Sequence, residues 1–148
     1  MVLKRTDSAD PDFIPLVQLL DADLAIRDGD DHDFYHQFNN IDSLRHCIVA
    51  YDDGIPVGCG AFKKYGDGLV EIKRMYTLPQ SRGKGIAKQI LAALEVWARE
   101  EGYDHAILET GKAQPEAIAL YKKCGYEIIP NYGQYTGVEN SLCFKKSL

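Results

Sequence analysis

Residues Gln80-Ser81-Arg82-Gly83-Lys84-Gly85-Ile86-Ala87 stand between a strand-like run, Val70 to Leu78, and an amphipathic helical run, Ile86 to Arg99. Two glycines at the mouth of a helix let the backbone turn tightly and approach a ligand closely. The first N–H groups of that helix lack intrahelical acceptors and point outward, where the helix dipole favours negative charge. Arg82 and Lys84 add two cations at the same place. The stretch reads as an anion site, suited to a phosphate or pyrophosphate.

The kind of phosphate loop narrows by elimination. A Walker-type loop needs Gly-Lys followed by Ser or Thr, and here Gly83-Lys84 is followed by Gly85. A dinucleotide fingerprint needs a small third residue, and Lys88 stands there. The pattern Gln/Arg-x-x-Gly-x-Gly/Ala is met by Gln80, Gly83 and Gly85. It resembles the acetyl-CoA loop of the GNAT superfamily of N-acetyltransferases. Taken by itself, the loop also fits a plain strand-to-helix turn with two solvated basic side chains.

Composition bounds the function classes. A chain of 148 residues is long enough to bury a core as one domain, residues 1–148. Hydrophobic residues at 45% and charged residues at 26% describe a globular protein, not a disordered one. A formal net charge of −5 argues against nucleic acid, whose backbone needs a basic face. No apolar run reaches membrane-spanning length, and Met1 to Asp7 lacks signal-peptide character. Cys47, Cys59, Cys124 and Cys143 are scattered without a Cys-x-x-Cys pair, as expected of reduced thiols in a cytoplasmic protein.

The order of elements extends the resemblance. Val2 to Thr6 is a strand candidate, and Asp10-Pro11 opens a helix carrying Phe13, Ile14, Leu16, Val17, Leu20 and Leu24 along one side. An acidic loop, Asp28 to Asp33, leads to a second expected helix around Phe34, Tyr35 and Phe38. His46 to Tyr51, Ile55 to Lys64 and Leu69 to Leu78 read as antiparallel strands, joined by turns at Asp52-Asp53-Gly54 and Gly66-Asp67-Gly68. After the long helix come a buried strand, His105 to Glu109, a helix, Pro115 to Cys124, and two strands, Tyr126 to Ile129 and Ser141 to Lys145. The expected fold is α/β, a mixed and mostly antiparallel sheet flanked by helices, in the GNAT order.

A second motif lies on the last helix. Ala117-Ile118-Ala119-Leu120-Tyr121-Lys122-Lys123-Cys124-Gly125-Tyr126 is similar to the GNAT pattern Ala-x-x-Leu-Tyr-x-x-x-Gly-Phe/Tyr. Helical spacing puts Ala117, Leu120 and Cys124 on one face with Tyr121 at its edge. The resemblance implies that Tyr121 hydrogen-bonds the CoA sulfur and acts as general acid. Gln114 stands where the family often carries asparagine. Met75 to Leu78 would supply a backbone N–H for the oxyanion and, with Gln80, Arg82, Gly83, Lys84, Gly85, Ile86, Ala87, Gln114 and Tyr121, hold acetyl-CoA. Of that strand segment, Met75, Tyr76 and Thr77 are the expected cofactor contacts. Glu71 resembles the catalytic glutamate of histone-acetylating members and is the first choice of base.

An alkylammonium with a pKa of ~10.4 is protonated at pH 7, and freeing the amine costs roughly 4–5 kcal/mol at ~1.36 kcal/mol per pKa unit. A base, a water relay or a desolvating pocket has to meet that cost. Strand alternation puts Glu71, Lys73, Met75 and Thr77 on one face, with Ile72, Arg74 and Tyr76 on the other. Tyr132 and Tyr135, in an aromatic and polar loop, and Arg27 with Arg74, suited to a substrate carboxylate, are the expected acceptor-side residues. Asp23 and Asp31 would line the opposite wall. His32 and His36 sit four apart with no third ligand, so no metal is expected. Two readings remain: an acetyl-CoA-dependent N-acetyltransferase for a small-molecule or protein amine, or a CoA-binding regulatory domain of the same fold. A homodimer is the default assembly.

Overall fold

The computed structural model describes residues 1–29 and 44–148. Asp31, the His32–His36 pair and the expected helix around Phe34, Tyr35 and Phe38 lie outside the described residues. The strands are β1 (Val2–Thr6), β2 (His46–Asp52), β3 (Ile55–Gly66), β4 (Leu69–Thr77), β5 (His105–Gly111), β6 (Glu127–Ile129) and β7 (Ser141–Ser147). The helices are α1 (Phe13–Asp28), α2 (Ile86–Glu100) and α3 (Pro115–Lys123). The strands form one sheet in the order β1-β2-β3-β4-β5-β7-β6. Among the described residues only the β4–β5 pair is parallel. This is the α/β, mostly antiparallel arrangement expected; the strand ends lie within about two residues of their sequence estimates, while α1 runs on to Asp28, where an acidic loop was expected to begin.

Helices cover both faces. Phe13, Leu16, Val17 and Leu20 of α1 pack on Cys47, Val49, Cys59, Ala61 and Tyr76. On the other face Ile86, Ile90, Leu91 and Leu94 of α2, with Tyr121 of α3, pack on Ile48, Phe62, Val70, Ile72, Leu108 and Phe144. All four cysteines are thiols, and Cys47, Cys59 and Cys143 are buried. Among the described residues no helix is long and apolar enough to cross a membrane.

Two features of β4 open the sheet at its centre. It pairs with β5 only over Leu69↔His105, Val70↔Ala106 and Glu71↔Ile107, after which the strands part. Its register to β3 also shifts between Cys59↔Tyr76 and Ala61↔Lys73, so that one extra residue bulges out of β4. Arg74, at φ 61, occupies that bulge. The expected alternation therefore fails beyond it. Met75 packs with Ile72 against the α2 face, whereas Tyr76 packs on the α1 face, opposite Ile72. A period of two cannot register an inserted residue.

Candidate active site

The connection from β4 to α2 is a short 3₁₀ turn, Pro79–Ser81, followed by Gly83 at φ 80 and Gly85 at φ 77. Gly85 is the N-cap of α2 and no side chain caps the helix. A glycine in place of a capping side chain costs only about a few tenths of a kcal/mol. Each fully buried aliphatic of α2 contributes about 1.5–3 kcal/mol, so packing holds the helix and its first N–H groups stay available to a ligand. A Cβ added at Gly83 or Gly85 meets nothing within 4 Å, so the loop faces open space. Arg82 turns back toward β4, its Nε donating to the Thr77 carbonyl at 2.9 Å and its guanidinium 5.6 Å from the Tyr76 ring.

Beside the loop lies a cleft of about 280 Å³, bordered by Met75, Tyr76, Thr77, Arg82, Gly83, Gly85, Ile86, Ala87, Gln114 and Tyr121. Ten of the expected cofactor contacts are thus brought together. Gln80 and Lys84 are exposed and do not border it. Ser81, Lys88, Leu120 and Glu116 do border it and were missed. The Thr77 hydroxyl is buried in this wall without a hydrogen-bond partner. Leu78 N–H is bonded to the Val57 carbonyl, which removes it as an oxyanion donor. Ladder alternation then directs the Thr77 N–H away from β3, toward the gap between β4 and β5.

A second cavity, about 100 Å³, lies within that gap, bordered by Glu71, Lys73, Arg74, Met75, Glu109, Thr110 and Tyr135, with Leu20 and Leu24 from α1. The two spaces share Leu20, Met75, Gln114, Ala117 and Tyr121. Tyr121 is the one buried residue of α3, with Ala117, Leu120 and Cys124 half-buried around it. The sequence placed it at the edge of the apolar face, but it sits at the centre. The end of α3 fixes this position: Gly125 at φ 92 closes the helix, with Tyr126 N–H donating to Tyr121 O and Gly125 N–H to Lys122 O. Tyr126 in turn donates to the buried Glu95 at 2.8 Å, and Lys146 Nζ lies 3.0 Å from the same carboxylate, tying α2 to β7. Burial, then the charge of Glu109, pushes the Tyr121 phenol above its ordinary range, so it keeps its proton through neutral and mildly alkaline pH.

Glu71 is 4% exposed. Tyr132 donates to its Oε2 at 2.6 Å, and Lys63 and Lys73 each stand 3.8 Å from Oε1. Burial lowers the Lys73 ammonium below its usual value, against the opposing pull of Glu71. Glu109, at the end of the buried β5 run, accepts from Ser141 Oγ at 2.8 Å. Sequence reasoning passed over it, although a carboxylate at the end of an apolar strand is a signal. Tyr135 is buried and borders the inner cavity. Arg74 reaches Asp21 through Nη1 at 2.8 Å. Arg27 pairs with Asp23 at 3.2 Å and with Glu116 of α3, and borders neither space. Among the described residues no cluster of His, Cys, Asp and Glu is arranged for a metal.

An uncapped helix start behind two glycines, a cleft leading inward and a buried phenol between two cavities thus meet where the sheet opens. The acetyltransferase (GNAT) family matches residues 13–126. An IAA acetyltransferase of Azospirillum brasilense is 38% identical over 102 residues, 68% of this chain and 67% of that protein. Across it and five further curated relatives, the matched stretch spans from 41% to 67% of the relative's length. A Klebsiella pneumoniae structure classed as an acyl-CoA N-acyltransferase superposes with a TM-score of 0.83 at 30% identity, covering 99% of this chain and 97% of its own. An Elizabethkingia anophelis GNAT family acetyltransferase, solved with acetyl-CoA bound, shares the fold at a TM-score of 0.60 and 18% identity, over 70% of this chain and 76% of its own. The chain belongs to the acetyltransferase (GNAT) family and is an N-acetyltransferase of that family.

Proposed function

We propose that residues 1–148 form one catalytic domain that transfers an acetyl group from acetyl-CoA to a primary amine, by direct attack within a ternary complex. The observation that carries this reading is the position of Tyr121, buried where the loop-side cleft meets the inner cavity. A phenol there touches both the donor and the acceptor side.

The residues suit the cosubstrate. The first N–H groups of α2, with Arg82, Gly83 and Gly85, would hold the diphosphate. The unpartnered Thr77 hydroxyl and the open β4 edge suit the amide-bearing arm, which can add to the sheet as a strand does. When bound, acetyl-CoA supplies the activated acyl carbon. In the transfer, the acyl carbon–sulfur bond breaks and an acyl carbon–nitrogen bond forms. The ammonium gives up a proton to Glu71, directly or through water. Tyr121 donates its O–H to the sulfur as negative charge grows there and regains a proton from the nitrogen, which sheds its second proton as the amide forms. A thiol resembling cysteine, pKa about 8.5, needs only a modest acid. The Thr77 N–H faces the place where the oxyanion would develop. A cytoplasmic setting agrees with four unpaired thiols.

The test is release of free thiol from acetyl-CoA against a panel of amino acids, polyamines, antibiotics and peptides. Turnover with one amine class is expected. Tight acetyl-CoA binding without turnover on any amine would instead identify a CoA-binding regulatory domain.

A further inference from the structure

The inner cavity carries a feature that acetyl transfer alone does not require. Arg74 borders it, and its side chain is 2% exposed. Asp21 on α1 takes the Nη1 donor, while Nε is buried with no partner at all. A buried guanidinium N–H left unsatisfied costs more than a neutral donor, because its charge is already removed from water. The backbone at Arg74 is also held at φ 61, which costs a non-glycine residue about 1–3 kcal/mol. Glu71 to Met75 of β4 all border this one cavity, with Arg74 at the bulge. The opposite wall contributes Glu109, and Glu71 stands beside Lys73.

We propose that the acceptor is a small amino-carboxylate, whose carboxylate docks on the Nε edge of Arg74 while its amine faces Glu71 and Glu109. The inference rests on the transferase reading above. A carboxylate is a planar two-oxygen acceptor that matches the guanidinium edge left over by Asp21. The cavity wall carries both signs of charge, with Lys73 Nζ standing 3.8 Å from Glu71 Oε1, as a zwitterion requires. A volume of about 100 Å³ suits a compact acceptor. A polyamine would bring a second cation to Arg74 and leave Nε still unpaired. Specificity follows from the same donor. A site built to bond a polar group rejects the analogue lacking it far more strongly than an apolar pocket rejects one methylene.

The experiment compares matched triplets of acceptors: an amino acid, its carboxamide and the amine lacking the carboxyl group, for several side chains. In the parent protein, kcat/KM for the carboxylate is expected to exceed that for the carboxyl-free amine by at least ~10-fold. Arg74→Gln should lower kcat/KM on the carboxylate at least ~10-fold more than on the carboxyl-free amine, with Arg74→Lys intermediate. Acetyl-CoA affinity by calorimetry reports whether the variants keep their fold, and the discrimination of the parent protein stands even if they do not. Equal turnover of all three acceptors would overturn the amino-carboxylate and leave the transferase intact. If no amine releases thiol, the transferase reading fails. Calorimetry with amino acids on the CoA-loaded protein then decides: binding weakened by Arg74→Gln supports the site, and no binding overturns it.

Discussion

The Tyr132 hydroxyl lies 2.6 Å from Glu71 Oε2, joining the loop before β7 to the strand where the sheet begins to open. The carboxylate is thereby fixed in orientation, with Oε1 turned to Lys63 and Lys73. Glu71→Gln keeps the size and can still accept from Tyr132, but cannot take a proton. It should lower kcat about 10²- to 10⁴-fold and flatten or shift the alkaline-rising limb of the rate–pH profile. An unaltered profile would rule out Glu71 as base.

Tyr121→Phe keeps the ring that packs on Tyr126 and Phe144, at centroid distances of 5.9 Å, and removes only the proton donor. The expected result is a kcat lower by about 10- to 10⁴-fold with acetyl-CoA affinity close to the parent's. Parent-like kcat would place the acid elsewhere.

Gly83→Glu puts a carboxylate where the diphosphate is expected, at a backbone angle that strains any side chain. Open space around this position means the rest of the fold has no clash to absorb. Acetyl-CoA binding should weaken at least ~100-fold, about 2.7 kcal/mol, in calorimetry. Unchanged affinity would remove the loop from the site.

Tyr121, Tyr126, Tyr132 and Tyr135 all have phenols pushed upward, by burial first and then by Glu109, Glu95, Glu71 and Glu109 respectively. Above about pH 10 the unfolded chain sheds these protons while the folded chain retains them, so the unfolded state binds fewer protons and stability falls as pH rises. Urea midpoints should be level to about pH 9 and decline steadily beyond about pH 10. A level midpoint to about pH 11 would contradict the burial of these rings.

Much of this site is legible in the sequence because it is local. Gly83, Gly85 and the helix after them are neighbours in the chain, and Gly125 signals the end of α3 from its own backbone preference. What escaped is non-local. The bulge at Arg74 leaves no mark in the residue pattern, since nothing about arginine favours positive φ. Tyr121 is central because Phe144, on a strand far along the chain, packs on its ring. Arg27 looked suited to a substrate, yet Glu116 lies across from it on a different helix.

The parallel contact between Leu69–Glu71 and His105–Ile107 is also the seam of the whole sheet. On one side β1 to β4 form a plate, and on the other β5, β7 and β6 form a second. Only three ladder pairs join the two plates, and the core formed by α2 with Val70, Ile72, Leu108 and Phe144 spans the seam. A strand-like molecule lodged in the opening would complete the missing rungs and weld both plates together. Ligand occupancy should then slow amide exchange along the facing edges of β4 and β5.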